Sequence, residues 1–292
     1  MNKSILFAAL VAFLTSSAGA IADDTKGLMG FSYTQDNIFI SHTEGSSIAN
    51  IPIYGWGSFW PFSEAGKESD NGDKIDKRVK QAIADGQEVV LTCATAPAMY
   101  RASGKPWNME ERVMDSMEDQ YAHRCAEAVV RWPQITRVQV WNELKGYWLM
   151  PPANRWDYEG YTRFYNKVYD AIKAVRPEVK VGGGYAALNA ERPYFVKKYD
   201  GVPIDFRAMD AMIYWLGHAK GYDAVCLDGS LSPEAFPVVA DMFRKLSHNK
   251  PIWWAEFYSG NPAHMHEARE LIRKNMQSGD IALWWAADAF EW

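Results

Sequence analysis

Short apolar runs rich in β-branched and aromatic residues alternate along this chain with longer stretches whose apolar positions recur every three or four residues. The runs predict strands at LMGFSY (28–33), ANIPIYGW (49–56), VVLT (89–92), VQVW (138–141), VKVG (179–182), DAMIYW (210–215), PIWWAE (251–256) and IALWWA (281–286). Between them the spacing predicts helices over about 73–85, 110–131, 158–176, 190–199, 232–247 and 263–278. In the third of these, Tyr161, Phe164, Tyr165, Val168, Ile172 and Val175 share one face. Gly86, Pro133 and Pro177 punctuate the junctions before three of the strands. Strands alternating with helices imply a parallel sheet, and eight such units fit a closed (β/α)8 TIM barrel better than an open sheet. A single domain over 23–292 is expected, with little helix between the first two strands and a short or missing final helix.

The first 22 residues do not belong to that rhythm. Lys3 precedes an apolar stretch from Ile5 to Leu14, and small residues then lead to Ala20 and Ala22 before Asp23-Asp24. This is the layout of a secretory signal peptide, so a secreted or periplasmic location is expected. The stretch is too short to span a bilayer, and no permanent membrane anchor is expected. Cys93, Cys125 and Cys226 are an odd number for an exported chain and match no zinc spacing. Buried free thiols are the expectation, with one disulfide left open. The formal charge of −5 comes without any basic run, which argues against a nucleic-acid partner. Aromatic residues make up 14% of the chain, a density that suits either a large core or sugar-binding surfaces.

In a barrel of this kind chemistry sits at the C-terminal ends of the strands. Glu143 ends the run Arg137–Glu143, and Glu256 ends Ile252–Glu256. Strand alternation would place Gln139 and Trp141 inside the barrel below Glu143, and Ile252 and Trp254 below Glu256. Two carboxylates facing each other across a barrel mouth are what glycosidic cleavage needs, one protonated and one ionised. Their mutual repulsion pushes one pKa upward, which supplies the acid and sets an activity optimum between roughly pH 4.5 and 7. Neither a metal nor an organic cofactor is called for. His264 and His266, two apart on a helix, do not share a face, and Gly182-Gly183-Gly184 lacks a phosphate-loop pattern and reads as room for a loop to pass close beneath the mouth.

With those residues in view, the chain resembles the retaining glycoside hydrolases of clan A, nearest in appearance to family 39 and its relatives. VWNELKGYW (140–148) resembles the clan's fourth-strand motif, and KPIWWAEFYSG (250–260) its seventh-strand segment. VVLTCATAPAMY (89–100) is similar to the third strand and its loop, and YTRFYNKVYDAIKAVRPEVKVGGG (161–184) also matches in character. The resemblance implies Glu143 as acid/base, Glu256 as nucleophile and Asn142 as partner of the sugar 2-hydroxyl. It implies a sixth-strand aromatic beside the nucleophile, here Tyr214, with Trp215 and His218 as competitors. Trp284 or Trp285 would supply the platform under the reacting sugar. One departure is Leu144, where the clan often has Pro.

Trp56, Trp60, Trp107, Trp148 and Trp156 fall in connections on the expected substrate face, and point to a cleft for a poly- or oligosaccharide. Lys145 and Arg155 are open to contact with an acidic glycan. Two other readings use the same residues: a barrel that binds carbohydrate without cleaving it, and a transglycosylase.

Overall fold

The computed structural model describes residues 27–33, 45–64, 72–105, 111–190, 192–258 and 264–285. The signal-like segment 1–22, Trp107 and the residues of any final helix lie outside these. Along the chain run β1 (Leu28–Ser32), β2 (Ile48–Pro52), α1 (Gly72–Ala84), β3 (Glu88–Cys93), α2 (Glu118–Arg131) and β4 (Ile135–Val140). A short ribbon, β5 (Trp148–Leu149) with β6 (Arg155–Trp156), precedes α3 (Tyr158–Val175) and β7 (Lys180–Ala187). A second ribbon, β8 (Val196–Tyr199) with β9 (Val202–Asp205), leads into α4 (Phe206–His218) and β10 (Ala224–Ser230). The chain continues through α5 (Ala235–Leu246), β11 (Ile252–Tyr258), α6 (Met265–Asn275) and β12 (Ile281–Trp284).

Eight of these strands close a parallel barrel in the order β1-β12-β11-β10-β7-β4-β3-β2. Two hydrophobic layers hold it. An outer core lies between strands and helices, where Val168 and Ile172 of α3 and Val239 and Phe243 of α5 are buried. An inner plug draws on β1, β2, β3, β7, β10, β11 and β12, with Ile48, Val90, Cys226, Trp253 and Leu283 among its members. A polar chain runs beside it: Gln139 donates to Thr92, Thr92 to Asn50 (both 2.5 Å) and Asn50 to Ser32 (2.9 Å). That chain links β4, β3, β2 and β1, and pairs buried groups that would otherwise be costly. All three cysteines are free and buried.

Two of the predicted elements are different. Residues 210–215 are not a strand but the middle of α4, whose buried Ala208, Met209, Ala211, Met212 and Trp215 follow the helical spacing. The sixth barrel strand is β10, AVCLDGS. The described residues of 190–199 form no α-helix; a 3-10 turn at Pro193–Phe195 leads into β8 of the ribbon. Gly182-Gly183-Gly184 lies within β7, and what comes close to it is aromatic rings rather than a loop. A Cβ at Gly182 would meet the Trp253 ring at 2.7 Å, and one at Gly183 the Tyr165 ring at 2.3 Å. Large rings on both faces of the strand exclude side chains there.

Candidate active site

The strands that meet at the C-terminal mouth depart from regular alternation just where they deliver polar side chains. β4 ends at Val140, and Trp141, Glu143 and Leu144 then take positive φ of 70°, 46° and 53°. Trp141 therefore follows Val140 into the outer core, edge-on to Tyr121 of α2 and Phe164 of α3, while Gln139 stays inside. Proline cannot adopt the φ of Leu144, so its absence at this position matches the backbone. β11 carries one extra residue: Trp254 pairs with Leu227, but Glu256, not Ala255, pairs with Asp228. Ala255 and Glu256 consequently both face the barrel axis. Ile252 and Trp254 pack outward, Trp254 edge-on to Phe236 of α5 at 4.9 Å. β7 has the same device at Tyr185, left unpaired between partners of Cys226 and Leu227, with φ of 34°.

Helix α3 repairs the ladder these irregularities interrupt. The Tyr161 hydroxyl donates to the Val140 carbonyl (3.1 Å) and accepts from the Gly184 N–H (3.0 Å).

The result is a cluster of three carboxylates. Glu143, Asp228 and Glu256 place carboxylate oxygens within 4.8 Å of one another. The Tyr185 hydroxyl donates to Glu256 Oε1 at 2.5 Å. Lys145 Nζ lies 2.6 Å from Glu143 Oε2, and Asn142 Nδ2 donates to the same oxygen at 3.1 Å. Burial, with Glu143 second, pushes Glu256 up to about 7, while Tyr185 and Lys145 pull it down. Burial, with Glu256 and Glu143 beside it, lifts Asp228 well above the usual carboxylate range. Burial and the same carboxylates keep Tyr185 protonated as a donor. Oxygens so placed have the chemistry of a hard-cation site, but Lys145 already supplies the local positive charge.

Of the residues singled out from sequence, Glu143, Glu256 and Asn142 meet here. Tyr214 does not. It lies on α4, its ring stacked on His218 at 3.9 Å and tilted against Tyr158, because the segment read as a strand is a helix. Trp215 is buried in the outer core. Trp284 also faces the outer core, whereas Trp285 is half-buried and edge-on to Trp56 at 5.5 Å. Trp56 in turn lies under Lys145 Nζ, 5.7 Å from the ring centre. Trp60 is buried against Tyr121 and Tyr100. Tyr185 and Asp228 went unseen in the sequence; each is a polar residue closing a short apolar or glycine-rich run, a signal like that of the two glutamates.

A cavity of about 580 Å³ opens beside the cluster, lined by Glu143, Lys145, Trp148, Trp156, Asn189, Asp205 and Arg207. Trp148 and Trp156 meet edge-on at 5.0 Å. Arg207 is paired with Asp205, and its guanidinium lies over the Phe195 and Trp148 rings. Arg155 is held by both oxygens of Glu159 and does not line the cavity.

No family model and no curated protein matches the sequence. Solved structures do. The chain is similar to a glucosidase from Croceicoccus marinus at 13% identity and TM-score 0.59, over 91% of this chain and 62% of that one. It is similar to a family 39 glycoside hydrolase from Bacteroides cellulosilyticus WH2 at 14% identity and TM-score 0.60, over 92% and 59%. An endo-1,4-beta-mannanase from Rhizomucor miehei aligns at 13% identity and TM-score 0.58, over 89% and 86%. What they share is the fold. This chain spans less than two thirds of the first two structures.

Proposed function

We propose that this protein is a retaining glycoside hydrolase that cleaves O-glycosidic bonds of a poly- or oligosaccharide through a covalent glycosyl-enzyme. The observation that carries the reading is the placement of Glu143 and Glu256 at the C-terminal mouth of the barrel, with carboxylate oxygens within 4.8 Å. That spacing suits a retaining pair, about 5–5.5 Å between carboxyls, rather than an inverting pair that must admit water at about 6.5–9.5 Å. Glu256 attacks the anomeric carbon as the glycosidic C–O bond breaks, and Glu143 gives its proton to the departing oxygen. Water then loses a proton to Glu143 and displaces Glu256 from the sugar. Tyr185 fixes one oxygen of Glu256 and leaves the other to react.

The cavity chemistry favours uncharged sugars. Flat rings at Trp148 and Trp156 suit the C–H faces of pyranoses, and the cations Lys145 and Arg207 each have a carboxylate partner. The fold shared with solved glycosidases is consistent with this reading. Export, proposed on residues 1–22 alone, is tested by sequencing the N-terminus of protein recovered outside the cytoplasm.

A second reading exchanges the two roles, on the ground that the Lys145 ammonium pairs with Glu143 while Glu256 is the carboxyl that retains its proton longer. Azide decides between them. On a glycoside with a good leaving group, Glu256→Ala with azide should yield a glycosyl azide of inverted configuration, and Glu143→Ala one of retained configuration. The opposite stereochemistry would establish the exchanged roles, and wild-type protein inert on a full glycan panel would leave only a binding barrel.

A further inference from the structure

The third carboxyl of the cluster has no part in a two-glutamate mechanism, yet it is the most deeply buried of the three. Asp228 is 0% exposed, and neither of its oxygens has a hydrogen-bond donor. The donors around it are directed elsewhere, Tyr185 to Glu256 and both Lys145 and Asn142 to Glu143. The groups facing it are Glu256 and Tyr258 from β11, Tyr185 from β7, and Glu143 and Lys145 from the segment after β4. An ionised Asp228 would place a bare anion against two other carboxylates with no donor of its own. A protonated Asp228 becomes a donor, and the two glutamates beside it can accept.

From this arrangement we propose that Asp228 is a positioning residue that carries a proton in the resting enzyme and donates it in a hydrogen bond to Glu143. Its burial and the contact with Glu143 agree with the upward displacement of its carboxyl. The consequence for the reaction, which rests on the function proposed above, is specific. When Glu143 hands its proton to the leaving oxygen, the charge that forms there meets the O–H of a neutral acid instead of a second anion. A donor already aimed at the position where charge develops acts chiefly on the transition state. No proton leaves Asp228 in the cycle.

Two variants and a spectrum test the assignment. Asp228→Ala removes the donor, and kcat should fall about 30-fold while KM changes by less than about threefold. Asp228→Asn keeps a donor and cannot ionise, so it should recover kcat to within about fivefold of wild type. Its acid limb of kcat/KM should stay within about 0.3 pH units, because the charge next to Glu256 has not changed. An acid limb shifted down by about one unit or more in Asp228→Asn would mean that an anion had been removed, and would overturn the proposal. So would an Asp228→Ala variant as active as Asp228→Asn. The infrared arm does not depend on turnover. Wild-type protein labelled with carboxyl-13C aspartate should show a protonated-carboxyl stretch at pH 7 that is missing from Asp228→Asn. Its absence from wild type refutes the protonated acid, whatever the activity. Its presence in a protein that cleaves no glycoside upholds the protonated acid and removes the two-glutamate reading instead.

Discussion

Glu256 is 7% exposed, touches a tyrosine hydroxyl and lies in a cluster with two other carboxyls, and its environment makes the anion costly. The folded protein raises it from 4.5 to about 7, so between those values the native state binds a proton that the unfolded chain has released. Its contribution to stability is therefore fully present below about pH 4.5 and is lost as pH rises through 7. Glu256→Gln abolishes that loss. Thermal melts should show the variant more stable than wild type at pH 8, by up to an order of 3 kcal/mol, with the gap shrinking toward pH 4.5. Equal melting temperatures at pH 8 would show that the anion is well accommodated. The same shift sets the acid limb of activity near 7, so the optimum lies above the range of roughly pH 4.5 to 7 inferred from sequence. Glu143 and Glu256 were legible as candidates because each closes an aromatic-rich strand. Tyr185 follows three glycines that carry no side-chain pattern to show where the strand ends, and Asp228 stands in a strand that the six-residue window at 210–215 displaced.

That displacement belongs to the scale of elements. DAMIYW is apolar and aromatic enough to pass for a strand in isolation, and its helical period emerges only over the thirteen residues of α4. Most of the other strands were legible because Gly or Pro bounds them and a long amphipathic stretch follows. The ribbon β8–β9 was not, since four residues of exposed strand carry no periodicity that separates them from a helical turn. β7 is the element whose composition now has a packing reason. Tyr165 and Trp215 lie 2.3 and 2.9 Å from where a Cβ of Gly183 would stand, and both rings are buried and hemmed in by α3 and α4. Gly183→Ala should lower the unfolding free energy by about 2 kcal/mol in urea titrations, since neither ring has space to retreat. A change under about 0.5 kcal/mol would mean that α4 moves freely against the barrel.

Over the whole molecule, seven of the eight strand signals fall on barrel strands, and the eighth, though it belongs to α4, stands next to the missed β10, so the count still led to the closed barrel. The chain carries a net charge of −5, but both cations that line the cavity are neutralised locally, Lys145 by Glu143 and Arg207 by Asp205. Long-range steering should then be negligible for an uncharged substrate. kcat/KM on such a glycan should vary by less than about twofold between about 0.05 and 0.5 M sodium chloride. A steep decline with salt would point to an anionic glycan and remove the neutral-sugar reading.

The extra residues at Tyr185 and Ala255 give the site a vulnerability of a different kind. Asp228 keeps the ordinary two-residue beat of β10, but its partners on either side reach it only because β7 and β11 each slip by one count. The catalytic geometry is thus written in phase as well as in side chains. A β11 of the same sequence that paired without the bulge, Ala255 opposite Asp228, would have the Glu256 carboxylate turned toward α5 and the outer core. Replacing residues one at a time leaves that offset untouched. Only deletions and insertions probe it, and in any relative of this chain the length of β11 carries as much information about the site as the letters in it.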